Sequence, residues 1–278
     1  MKNIIFLFVV ILFFSSFILQ NKTELSRYDL KNKSAPSIYL PKILHEISGI
    51  AFTTDNRLFA EEDNHGEVYQ VDVNSGNIIK IFSLGKNMIK EDFEDLAIVG
   101  DKFYLVTSDG YIYEFLEGKD KEDVDYKKYF TGLNKENNVE GMCYDPETNS
   151  LLLACKDYPG EGYENNRTVY SFSLSSFTLN KKPRFILPVN YIKERLDIKN
   201  FRPSGIARHP KSGTFFILSA HSKAIVEVSK EGEVISLKKL LKQKHNQPEG
   251  ITFSSGNTLY ISDEGNEFGT ITKYPELK

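Results

Sequence analysis

Three glutamates, Glu94, Glu140 and Glu249, stand at the same place in a seven-residue motif that recurs five times in this chain of 278 residues. The copies read Glu46-Ile-Ser-Gly-Ile-Ala-Phe, Asp92-Phe-Glu-Asp-Leu-Ala-Ile, Asn138-Val-Glu-Gly-Met-Cys-Tyr, Arg202-Pro-Ser-Gly-Ile-Ala-Arg and Gln247-Pro-Glu-Gly-Ile-Thr-Phe. The first and fourth copies carry Ser48 and Ser204 at that third position. Repeats related by rotation would bring these five side chains toward one axis. Three carboxylates gathered there repel one another unless a cation or protons compensate. Oxygen donors of this kind are the ligands of a hard cation, Ca²⁺ or Mg²⁺. The residues leave a second reading open, in which each glutamate accepts hydrogen bonds from the backbone of a neighbouring repeat.

A second polar set follows the next apolar run of each repeat: Glu62 and Asp63, Asp109 and Asp263, with His221 at the corresponding place in the fourth repeat. Loops that emerge at one mouth of a repeat structure are where ligands are held, so these five are ligand-contact candidates. Solvated turn carboxylates would look the same. Nucleophilic catalysis finds little support. The chain has no G-x-S-x-G elbow and no H-E-x-x-H pair, and no catalytic residue is assigned. His221 reads as a ligand-contacting or structural histidine. The hairpin centred near Glu147 pairs Cys143 with about Leu152, which offsets it from Cys155 by about three positions, so two free thiols are expected.

The elements that must position these groups are short strands. Each motif is followed by a turn and a second apolar run: Arg57-Leu-Phe-Ala, Lys102-Phe-Tyr-Leu-Val, Ser150-Leu-Leu-Leu-Ala, Thr214-Phe-Phe-Ile-Leu and Thr258-Leu-Tyr-Ile-Ser. A third run alternates apolar and polar residues, as in Val68-Tyr-Gln-Val and Val169-Tyr-Ser-Phe. A fourth follows in four repeats, at Ile78 to Phe82, Tyr126 to Phe130, Arg184 to Leu187 and Val234 to Leu237. Four antiparallel strands in about 45 residues describe a propeller blade. The expectation is an all-β, five-bladed β-propeller over residues 36–278. The fifth unit ends after its third strand, and Ser37-Ile-Tyr-Leu supplies the missing one, which closes the ring.

The motifs begin at residues 46, 92, 138, 202 and 247, so one interval of 64 residues is longer than its neighbours of 45 or 46. The surplus is placed in the loop from Asp157 to Arg167 and in a short helix near Asn190-Tyr-Ile-Lys-Glu-Arg-Leu-Asp-Ile. A sixth blade in that interval is the alternative.

At the amino terminus Lys2 precedes an apolar stretch from Ile4 to Leu19, broken only by Ser15 and Ser16. A positive residue before an apolar core marks an export signal. Its length lies between a signal core and a spanning helix, so residues 1–20 read as a cleaved signal peptide or a hydrophobic helical membrane anchor. Residues 21–35 read as a polar tether. The propeller is then expected in the cell envelope, anchored to the plasma membrane, periplasmic or secreted. The charge balance is near neutral, 35 Lys and Arg against 38 Asp and Glu, which gives no basic face for nucleic acid. Two cysteines exclude a disulfide-stapled scaffold and a Cys-rich metal site.

The repeat units, together with Leu218-Ser-Ala-His-Ser-Lys-Ala-Ile-Val-Glu-Val, Gly232-Glu-Val-Ile and the ending Gln247 to Glu264, resemble the SdiA-regulated, YjiK-like family of exported bacterial propellers. That resemblance runs over nearly all of residues 36–278. It implies a propeller in the cell envelope and calcium as a plausible ligand, and it implies no particular reaction. The expected function is a monomeric binding module with a channel-bound divalent cation that holds a ligand or an envelope protein at its mouth. The alternative is a metal-dependent hydrolase of phosphoesters or lactones, in which the channel cation polarises the substrate.

Overall fold

The computed structural model describes residues 23–277. Five sheets follow one another along the chain, each built from consecutive antiparallel hairpins; the first gains the short parallel strand Asp123–Val124 at its outer edge, and the last is completed from the other end of the domain. The inner strands are Ile47–Phe52, Phe93–Val99, Val139–Asp145, Gly205–Arg208 and Pro248–Phe253, all within or just beyond the five motifs. The sheet of the last blade takes Ser37–Tyr39 as its outer strand, with Ser37 opposite Thr272, Ile38 opposite Ile271 and Tyr39 opposite Thr270. This is the expected five-bladed propeller with the expected closure. The 64-residue interval holds no sixth sheet. It holds the loop after Cys155 and an α-helix, Val189–Leu196, whose Ile192 and Leu196 are buried against the third and fourth blades.

Alternation along the strands puts apolar side chains between blades, and the core is five clusters, one per blade interface. Phe59, Phe82, Phe103 and Phe115 fill the first interface with edge-on and tilted ring contacts. The axis is packed more tightly. The glycine at the fourth motif position has no room for a side chain, because a Cβ on Gly205 would lie 2.2 Å from the Glu249 carbonyl oxygen and one on Gly250 2.3 Å from that of Ser48. Glycine therefore lets neighbouring inner strands approach. One residue further, Ile50, Leu96, Met142, Ile206 and Ile251 are buried on the axis. They line a cavity of about 230 Å³ whose other walls include Phe52, Tyr144, Arg208 and Phe253.

Residues 21–35 are not a free tether from Glu24 onward. Leu25, Tyr28, Leu30 and Ala35 are buried in the cluster between the fourth and fifth blades. The buried Glu227 carboxylate accepts the backbone N–H groups of Glu24 and Leu25 at 3.2 and 2.9 Å, at the start of the short 3₁₀ turn Glu24–Arg27. The Tyr28 hydroxyl donates to the Asn257 carbonyl at 2.9 Å and meets Nε2 of buried His209 at 3.0 Å. The segment is a strap. It escapes the sequence because three large apolar residues spaced irregularly among charges form no recognisable periodic face. The apolar segment of residues 1–20 lies outside the described residues, and among the described ones no helix is long and apolar enough to cross a membrane.

Candidate functional site

The inner strands all start at one end of the channel, and the hairpins after the second strands emerge at the same end. Backbone bonds stitch this mouth from blade to blade: Phe93 N–H donates to Asp63 O, Val139 N–H to Ser108 O and Gly265 N–H to His45 O, at 2.8, 3.0 and 2.9 Å. The positions of the side chains are thus fixed by main chain.

Glu94, Glu140 and Glu249 do share this mouth, and each raises or is raised by another's charge. Burial, then the charges of Glu140 and Asp92, push Glu94 up to about 11. Burial and Glu140 push Glu249 up to about 8. Glu140 is raised by burial too, against the opposing pull of Lys156. That lysine is the residue the motif comparison passed over. Its ammonium lies 2.5 Å from Glu140 Oε1, and although burial pulls its affinity for the proton down, the charges of Glu140, Glu249 and Glu94 raise it overall. Asn138 Nδ2 donates to the same Glu140 oxygen at 3.0 Å. The compensating cation in this structure is therefore a side chain.

Glu94, Glu140 and Glu249 do not stitch the inner strands either. Asp95 accepts the N–H groups of Leu96 and Met142 at 2.8 and 2.6 Å, Glu61 accepts that of Gly49 at 2.5 Å, and Ser262 Oγ accepts that of Gly250 at 2.9 Å. Asp95 stands where the other four repeats have glycine, a departure visible in the aligned motifs. Glu61 and Asp95 are fully enclosed, and burial holds both carboxyls well above the usual range. Glu61 Oε2 has no partner.

The loop candidates divide. Glu62 and Asp63 meet at the rim with Glu46, and among the described residues these three bring carboxylate oxygens within 4.8 Å of one another. The Asn64 amide donates to Glu46 at 2.9 Å and to Asp63 at 2.5 Å, while His65 Nδ1 meets Glu62 at 2.6 Å. Burial and the charges of Glu46 and Glu62 push Asp63 up to about 6. Asp263 is buried, its Oδ2 2.7 Å from His245 Nδ1, and the other nitrogen of that ring faces the Tyr274 hydroxyl at 2.7 Å. Asp109 stays in its own turn, accepting from Thr107 Oγ1 at 2.7 Å. His221 is exposed in the hairpin after the second strand of the fourth blade, in a groove with Lys199, Lys223, Lys239 and Lys242. Both cysteines are buried and free, and Cys143 faces Leu152 as the hairpin register requires.

The SdiA-regulated family model matches residues 24–272, strap included. Similar solved structures include a glutaminyl cyclase from Myxococcus xanthus, with a TM-score of 0.57 and 12% identity over 86% of this chain and 93% of that one. A pyrroloquinoline-quinone-bound aldose sugar dehydrogenase from Streptomyces coelicolor aligns with a TM-score of 0.53 and 10% identity over 85% and 96%. A luciferin-regenerating enzyme gives 0.52 and 10% over 87% and 96%. Identities this low show the propeller fold and carry nothing about chemistry.

Proposed function

The chain belongs to the SdiA-regulated family, and we propose that it is an envelope-located binding module whose acidic mouth takes a cation and, over it, a ligand or partner protein. One observation carries this reading: Glu46, Glu62, Asp63, Asp92, Glu94, Glu140, Glu249 and Glu264 collect at one end of the channel, where Lys156 and Arg202 supply the positive charge that acts on Glu140. Of these, Asp63, Glu94, Glu140, Glu249 and Glu264 hold their protons above the ordinary carboxylate range, chiefly through burial. Among the described residues Glu46, Glu62 and Asp63 bring three carboxylate oxygens within 4.8 Å of one another, and hard oxygen donors of this kind suit calcium. These three would hold an ion at the rim, with Glu94, Glu140 and Glu249 adding negative charge further in, and the bound ion would supply an anchor for an anionic or carbonyl group of the ligand.

The strap bears on orientation. Glu24, Arg27 and Tyr28 are fastened to Glu227, Glu276 and Asn257, on the face of the turns that follow the inner strands, opposite the carboxylates. An uncleaved anchor in residues 1–20 would put the membrane on that face and point the acidic mouth away from it. Calorimetric titration of the purified protein with calcium and magnesium tests the reading. Heats that vanish in Asp63→Asn support it, and no heat with either ion rejects it. The hydrolase alternative draws on Glu249 near 8 and Asp63 near 6, both in the range of a general acid or base. A screen of phosphoesters and lactones with and without calcium separates the two readings.

A further inference from the structure

We propose that the groove at the edge of the fourth blade is a second binding site, which takes the diphosphate group of a small molecule on Lys199, Lys223, Lys239 and Lys242. It is independent of the cation reading given for the acidic mouth, although the two are neighbours: the charge of Lys223 acts on Asp263.

The groove is made where the repeat is broken. Asp197, Ile198 and Lys199 follow the helix Val189–Leu196 in the long interval between motifs, so no other blade has this wall. The second wall is the hairpin of His221, Ser222 and Lys223. By strand register the places equivalent to His221 hold Asn64, Asp109, Asp157 and Gly265 in the other blades, none of them a base. Lys239, at the end of the outer strand, and Lys242 beyond it complete the groove. Hydrogen bonds pin the three segments together: Leu240 N–H donates to Lys223 O at 2.7 Å, Ser222 Oγ to the Asn200 carbonyl, and Lys239 Nζ to the Asp197 carbonyl at 2.9 Å. The space between them is about 440 Å³. Its charge is unmatched. Among the described residues Lys80, Lys102, Lys128, Lys156 and Lys230 each hold a carboxylate, whereas none of these four lysines forms an ion pair. The one carboxylate on the lining is that of Asp197. Lys223 moreover keeps a left-handed backbone, φ +49°, which glycine or asparagine would adopt at less cost.

Like charges gathered around one hollow repel until an anion enters, and phosphate oxygens accept charge-assisted hydrogen bonds from several ammonium groups at once. Four lysines against one carboxylate leave more positive charge than a single phosphate monoester, at about −1.5 to −2, can match. Two linked phosphates meet it. A long polyanion would have to cross the carboxylates of the adjacent mouth, which favours a small molecule. The experiment is calorimetric titration of sodium pyrophosphate into the full-length protein at low ionic strength. Wild type is compared with the pair Lys199→Glu and Lys242→Glu and with the pair Lys199→Arg and Lys242→Arg. Both lysines are exposed, so the fold should survive either pair. The expected result is binding that weakens at least about tenfold on charge reversal and stays within about threefold of wild type in the arginine pair. Undiminished binding after charge reversal overturns the site, and so does the absence of heat from wild type at millimolar pyrophosphate. Sodium sulfate is the second arm. It should bind at least about tenfold more weakly than pyrophosphate, and equal binding of the two would overturn the diphosphate assignment.

Discussion

Asp95 shows how one substitution inside a repeat changes what holds the axis together. Its carboxylate takes two backbone N–H groups, its own neighbour's and that of Met142 in the next blade, while the other repeats carry glycine at that place. Asp95→Ala would leave both donors buried and unpaired at about 1–3 kcal/mol each, so a loss of roughly 2–5 kcal/mol is expected from urea unfolding. A cost under about 1 kcal/mol would mean that the inner strands do not depend on it. Glu249 is one of several buried carboxyls, with Glu94, Glu61 and Asp95, that set the pH dependence. Its carboxyl rises in the folded state from 4.5 to about 8, chiefly through burial, so between those values the folded protein keeps a proton that the unfolded chain releases. Stability should then fall as pH rises from about 4.5 to 8, by at most about 1.4 kcal/mol per pH unit from this group. Glu249→Gln should make the fall shallower by up to that amount, leaving the share of Glu94, Glu61 and Asp95, and an unchanged slope would assign the proton elsewhere.

The strands were legible because each carries its own period, and hairpin turns rich in Asn, Asp and Gly bound them. The inner-strand glycine, the closing strand at Ser37–Tyr39 and the helix at Val189–Leu196 all follow from residues read in order. The strap did not, since its partners lie about 200 residues away at Glu227, His209 and Asn257. Tyr28 decides between strap and tether. Its ring packs against Phe216 and Phe253 and its hydroxyl is satisfied at both ends, so Tyr28→Ala should cost roughly 3–5 kcal/mol. A tether would lose nothing. His221 stands in the expected hairpin, exposed in a groove with Lys223 of its own turn, Lys199 of the loop after the helix, Lys239 at the end of the outer strand and Lys242 beyond it, a company of lysines that equivalence along the sequence did not show.

Over the whole molecule, rotation turns a weak sequence signal into a dense electrostatic one. Five strand starts converge, and there the charge of Glu140 acts on both Glu94 and Glu249. The lysine that accompanies them was hidden because Lys156 lies just past the second strand, outside the motif, and stands alone among its equivalents. The central claim is that this mouth has unmet capacity for positive charge. A bound ion at a hundredfold excess over its dissociation constant stabilises the fold by about 2.7 kcal/mol. In a domain of this size that raises the melting temperature by roughly 5 °C or more. Thermal unfolding of the full-length protein in excess calcium and in chelator measures this directly. The account predicts that calcium raises the melting temperature by that amount in wild type and by much less in Asp63→Asn; identical melting of wild type in calcium and in chelator would contradict it.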